Sequence, residues 1–264
     1  MDTNLVTAGM RSSHSRRLGL ALVFALALAI GLGPLSDRAD AAHASSTGGL
    51  YFCVSSKSVC QASFSSVAKG TPVTMVCWRL GRGATGAYWT DKWFYVTLAD
   101  GREGFIHASR VGSQTPNRPG CSDYAWMRAA DWALDQVGQT TIPAAYKNGN
   151  VATYWSSWCW LFSWDAWNFG AGQRPKYSAG TAYDTYRQYN AAGRVAAGAG
   201  PRGSLVWWGS SSPGHAAVSI GNGYVVGTWG SRESQMIPVS NYIHTWITER
   251  LPPLKGHTRP SLVP

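Results

Sequence analysis

Acidic residues are scarce in this chain: 13 Asp and Glu stand against 23 Lys and Arg in 264 residues, for a formal net charge of +10. No Asp-rich calcium loop, no H-E-x-x-H and no paired C-x-x-C occurs, so neither a metal nor another cofactor is expected. Runs of Lys and Arg are missing as well. The cations are scattered singly, which argues against nucleic acid as the partner. No internal repeat is visible, and beyond residue 41 there is no long apolar run. A membrane span is therefore not expected in the processed chain.

The one apolar run lies at the N-terminus. Arg11, Arg16 and Arg17 precede an uncharged Ala/Leu-rich stretch from Leu18 to Leu32, and Ala39-Asp40-Ala41 follows as an A-x-A site. Basic, apolar and small-residue regions in that order mark residues 1–41 as a secretory signal peptide, with an uncleaved anchor as the alternative. The processed protein is expected to be secreted and extracellular, without stable membrane insertion. It keeps about 220 residues, room for one large or two small domains. Its positive charge suits an anionic surface such as bacterial cell wall.

Cysteine is sparse and odd in number: Cys53, Cys60, Cys77, Cys121 and Cys159. Outside the cytoplasm cysteines tend to pair. Four fall within residues 53–121, so two disulfides and one leftover thiol, Cys159, are expected. Proximity favours Cys53–Cys60 with Cys77–Cys121, although three pairings are open. The leftover thiol is either an inert buried cysteine or a nucleophile.

Residues 43–111 are strand-rich. TPVTMVCW (71–78), KWFYVTL (92–98) and EGFIH (103–107) have strand composition, with a turn at Asp100-Gly101, and imply a small β-barrel. Trp93, Val96, Asp100, Gly101, Gly104, Phe105 and Ile106 form a pattern that resembles bacterial SH3-like domains, a family that often tethers hydrolases to cell wall. Trp78, Tyr88, Trp89 and Trp93 are candidates for a wall-binding surface or, individually, for barrel core. Residues 112–122 (GSQTPNRPGCS) read as a linker.

A second domain, 123–250, opens with apolar residues at helical spacing from Met127 to Val137. A helix over 158–169 follows, capped by Ser156 or Ser157, then a helical segment over 179–192. Strands are predicted at 203–208, 215–220 and 224–228, the last two joined by a Gly221-Asn222-Gly223 hairpin turn. The fold class is therefore α+β. The tail 251–264, with Pro252, Pro253 and Pro260, is expected to be extended or disordered.

Cys159 falls in the first turn of its helix, where unpaired N–H groups and the helix dipole favour a thiolate and lower its pKa. His215 opens a strand after the polar loop Ser210–Gly214 and can serve as its base. Cys159-Trp160-Leu161-Phe162, then Gly203-Ser204-Leu205-Val206-Trp207-Trp208, then Gly214-His215-Ala216-Ala217-Val218-Ser219-Ile220-Gly221-Asn222-Gly223 together resemble the NlpC-type papain-like cysteine peptidases and the related CHAP amidases. The resemblance implies a papain-like helix-plus-antiparallel-sheet domain that cleaves peptide or amide bonds in peptidoglycan, with Cys159 as nucleophile and His215 as base. Two departures stand out. Trp158 precedes and Trp160-Leu161 follow the cysteine, where the NlpC pattern has Asp and Ser-Gly. The position of the family's third, His-orienting residue falls on Gly227, which leaves the adjacent Thr228, a water or a backbone carbonyl to serve. Tyr154, Trp158 and Tyr183 are candidate substrate contacts. Two alternatives accompany this reading: a catalytically decayed wall-binding or scaffold protein, and a secreted antibacterial effector.

Overall fold

A computed structural model describes residues 41–139, 141–142, 158–228, 234–238 and 254–260. The expected signal segment therefore lies outside the described residues, apart from its last residue, Ala41. The described residues form one compact unit of mixed α/β structure.

The N-terminal part is built on an antiparallel three-stranded sheet: β4 (Thr74–Thr85), β5 (Trp89–Thr97) and β6 (Glu103–His107). Side chains alternate along β5, and both faces are covered. Phe94 and Val96 join Leu50, Val67, Val73, Met75 and Ile106 on one side. That layer includes the short pairs β2 (Gly48–Leu50) with β3 (Ser65–Val67), and β1 (His43–Ala44) with β7 (Val111–Gly112). Trp93 and Tyr95 face the other way, onto Phe105, Cys77, Cys121 and Met127. The Asp100-Gly101 turn closes β5 to β6, with Gly101 at φ +85° and its N–H donated to the Leu98 carbonyl at 3.0 Å.

Two disulfides, Cys53–Cys60 and Cys77–Cys121, leave Cys159 as the free thiol. The 112–122 stretch is tied down: Cys121 is bonded to β4, and the Trp78 N–H donates to the Pro119 carbonyl at 3.1 Å.

The C-terminal part packs three helices on a five-stranded antiparallel sheet. The helices are α1 (Ala125–Asp135), α2 (Cys159–Asp165), which runs on into a π-turn over Ala166–Gly170, and α3 (Ala182–Ala191). The sheet order is β11 (Ser234–Pro238), β10 (Tyr224–Thr228), β9 (His215–Gly221), β8 (Leu205–Trp208), β12 (Leu254–Thr258). Alternation again sorts the faces. Leu205, Trp207, Ala216, Val218, Ile220 and Val226 meet the helices, while Val206, Trp208, Ala217 and Val225 lie beneath with Leu254. A methyl on Gly170 would come within 2.4 Å of the Trp132 side chain, so glycine there lets α1 approach the end of α2. Of the two expectations for the tail, the extended one holds over its described residues. Rather than being disordered, Leu254–Thr258 pairs with β8 and closes that edge of the sheet.

The two parts meet at a buried arginine. Arg202 is fully buried, and its guanidinium donates to the Phe52 and Ile220 carbonyls (3.0 and 3.2 Å), to Met127 Sδ (3.0 Å) and to Asp131 Oδ1 (2.7 Å). Asp131 also pairs with Arg79 of β4. The hairpin turn docks beside it: Glu103 N–H donates to Asn222 Oδ1 at 2.9 Å, and Asn222 Nδ2 donates back to the Glu103 carbonyl at 2.6 Å.

Candidate active site

Cys159 is the first residue of α2. Trp158 occupies the N-cap position without a side-chain cap bond, and the expected caps Ser156 and Ser157 lie outside the described residues. The helix is held from within, by Phe162 N–H on the Trp158 carbonyl (2.9 Å) and by Ser163 Oγ on the Cys159 carbonyl (2.9 Å). Phe162 and Ala166 carry this face of the helix into the core, and Cys159 packs against the same cluster.

The thiol lies on the wall of a pocket of about 590 Å³. Trp158, Trp164, Ala179, Thr181 and Pro213 also line it. Thr181 is fixed as the N-cap of α3, accepting the Asp184 N–H at 3.1 Å and donating to Asp184 Oδ2 at 2.7 Å. The first turn of α3 is tied to the loop ahead of His215, where the Tyr183 N–H donates to the Pro213 carbonyl at 3.0 Å. That loop turns on two glycines, Gly209 at φ +111° and Gly214 at φ +64°. A methyl on Gly214 would sit 2.9 Å from Tyr183 Cβ and 3.1 Å from the Trp208 carbonyl oxygen. The Gly-His step is thus a steric requirement at the head of β9.

The structure brings the thiol to the backbone of β9. Burial pushes the Cys159 pKa up, against the opposing pull of the Ala216, Trp160 and Cys159 backbone N–H groups. The expected lowering at a helix start is overridden, because desolvation of the anion outweighs the donors around it. His215, one residue before Ala216, is buried and pairs across the sheet with Trp208, the two rings 5.6 Å apart. Burial lowers its pKa to about 3. Burial thus disfavours the charged form of each group, the thiolate as well as the imidazolium.

Thr228 ends β10. It lies two residues beyond the Val226–Val218 pair and pairs with Ser234 of β11. Its buried hydroxyl makes no hydrogen bond, so it does not orient the imidazole here. Among the expected substrate contacts, Trp158 lines the pocket and is 43% exposed. Tyr183 anchors the His215 loop instead, and Tyr154 lies outside the described residues. Of the proposed wall-binding aromatics, Trp93 is core: it is 2% exposed and its indole N–H donates to the Arg82 carbonyl. Tyr88 and Trp89 are exposed.

Asp165, six residues past Cys159 and off its helical face, is not expected from the sequence to partner the thiol. Asp165, on α2 beyond Cys159, is 1% exposed, with neither carboxylate oxygen hydrogen-bonded, and burial raises its pKa to about 7. Nothing in the residue order marks an aspartate six positions past a cysteine as buried. Among the described residues no His/Cys/Asp/Glu group is arranged to hold a metal.

No family model matches the chain, and no curated protein matches it. Among solved structures it is similar to an NlpC/P60 family protein from Bacillus cereus ATCC 10987, with 13% identity and a TM-score of 0.33. The match covers 83% of this chain and 62% of that one, so the chain spans less than two thirds of that protein's length. Likeness at this level carries no functional inference.

Proposed function

We propose that the chain is a secreted cysteine hydrolase that cleaves a peptide or amide bond in peptidoglycan. The observation that carries this reading is the placement of the one free thiol. It stands at a helix start on a pocket wall and faces the β9 backbone one residue from His215. In the step this layout supports, the substrate carbonyl enters beside Sγ and the thiol proton passes to the neutral imidazole as the C–S bond forms. The Cys159 N–H, which has no acceptor within its helix, donates to the developing oxyanion. The imidazolium then protonates the leaving amine as the C–N bond breaks. Water hydrolyses the thioester, giving a carboxylic acid and restoring the thiol.

The N-terminal β-part, with Tyr88 and Trp89 exposed, serves in this reading as an SH3-like wall-targeting module. The two disulfides and the excess of 23 basic over 13 acidic residues fit an extracellular site on an anionic wall.

The upward shift of the thiol favours a second reading, a wall-binding protein that has lost catalysis. Incubating residues 42–264 and the Cys159→Ala variant with purified peptidoglycan separates the two. The hydrolase releases soluble muropeptides and the variant releases none. If both proteins pellet with the wall and neither releases fragments from any wall chemotype, the binding reading holds.

A further inference from the structure

A second pocket, of about 490 Å³, opens on the β4–β5 ladder and contains none of the catalytic candidates. One wall is the sheet, where Trp78 lies directly opposite Phe94 and Lys92 stands two residues further along the same face. The other wall is the turn carrying Gln114, Asn117 and Arg118. This turn is built in and not loosely draped. Gln114 Nε2 donates to the Ala108 and Val111 carbonyls at 2.8 and 3.0 Å, and the backbone bonds of Pro119 and Gly120 to Trp78 pin the far end. Asn117 holds a left-handed conformation, φ +57°, which side-chain amides tolerate better than most residues.

The charges in this pocket are unbalanced. The Lys92 ammonium sits 4.9 Å from the Trp78 ring centre and 5.1 Å from that of Phe94. Arg118 lines the same space, with its Nε buried and making no hydrogen bond. No acidic side chain lines the pocket among the described residues, and neither cation makes an ion pair there. Asp91, the acid next to Lys92 in the chain, belongs to the opposite face of β5 by alternation. Two part-buried cations thus line one pocket without an acidic side chain, and one of them keeps a buried donor unpaired, which a negative group between them would satisfy. An indole wall beside amide side chains is the complement of hydroxylated carbon.

We propose that this pocket binds an anionic sugar or polyol unit, in which a carboxylate or phosphate engages Lys92 and Arg118 while the hydroxylated carbons lie against Trp78 and the turn. The site is separate from the hydrolase reading and can be tested in the Cys159→Ala background, where no turnover intervenes.

The test is isothermal titration with residue-resolved NMR, using N-acetylmuramic acid as a carboxylated sugar, glycerol phosphate as a phosphorylated polyol, N-acetylglucosamine as a neutral sugar and inorganic phosphate as a bare anion. At least one of the first two should bind, moving the Trp78 indole and Arg118 Nε signals, and which one binds identifies the source of the anion. Added salt should weaken binding. Lys92→Gln and Arg118→Gln should each cost about tenfold in affinity while the thermal melt stays in place. The proposal is overturned if neither anionic ligand moves these signals, if N-acetylglucosamine binds as tightly, or if inorganic phosphate alone matches the better ligand. It is also overturned if both variants melt as the parent and bind unchanged.

Discussion

Cys159, His215 and the buried Asp165 each carry a pH signature. Because burial raises the Cys159 pKa, its thiolate fraction at pH 7 is below that of a free cysteine. Iodoacetamide should therefore alkylate it more slowly than it alkylates glutathione at pH 7, with a rate still climbing past the ~8.5 of a free thiol. A plateau below pH 7 would mean that an ion pair forms in solution. His215 has a native pKa of about 3, beneath its unfolded value of ~6.5. The unfolded chain therefore binds more protons between these values, so His215 adds stability above the upper one and loses it as pH falls through the lower. Asp165 runs the opposite way, with a native pKa of about 7 above an unfolded ~3.9. Its burial costs nothing below the lower value and costs most above the upper. Asp165→Asn, neutral at every pH, should stabilise the protein at pH 8 by on the order of a few kcal/mol and change little at pH 4. Urea unfolding at both pH values measures the difference, and an equal effect at the two would refute the assignment.

Among the elements, the β9–β10 hairpin was the most legible in the sequence. Glycine at both ends of Gly221-Asn222-Gly223 supplies the positive φ angles of +93° and +79° that such a tight reversal needs. Helix α2 was legible from its apolar spacing, although it passes into a π-turn at Ala166, ahead of the predicted end. β12 was not legible. Leu-Lys-Gly-His-Thr has neither alternation nor a β-branched run, and it is a strand because the free edge of β8 offers it unpaired backbone groups. The pKa of Cys159 was equally hidden, since helix position shows the donors but not the depth of burial. The step into β9 gives a prediction at this scale. Gly214→Ala puts a methyl against Tyr183 at a φ of +64°. It should cost about 1–3 kcal/mol of stability and displace the head of β9. Muropeptide release, if present in the parent, should fall further than the loss of folded protein accounts for, as read from activity at a temperature where both proteins remain folded.

At the scale of the molecule, the sequence reads as two modules and a linker, yet the contacts across the join are among the most buried in the chain. Arg202 reaches partners 71, 75 and 150 residues away, separations that no local pattern could reveal. Calorimetry on residues 42–264 should give one cooperative transition, and two resolved transitions would show that the parts melt independently. Asp131→Ala, which leaves the Arg202 and Arg79 guanidiniums without their shared carboxylate, should cost about 3–5 kcal/mol. The same arginine has a consequence for the order in which the protein is made. A chain emerges N-terminus first, so Phe52 and Asp131 are present long before Arg202 and Ile220 arrive to join them. The early β-part must wait with an open face, and the strand that closes the edge of β8 appears well after β8 itself. Cys159 is thus synthesised before the His215 strand exists to meet it, and the nascent polypeptide carries an unshielded thiol until that strand follows.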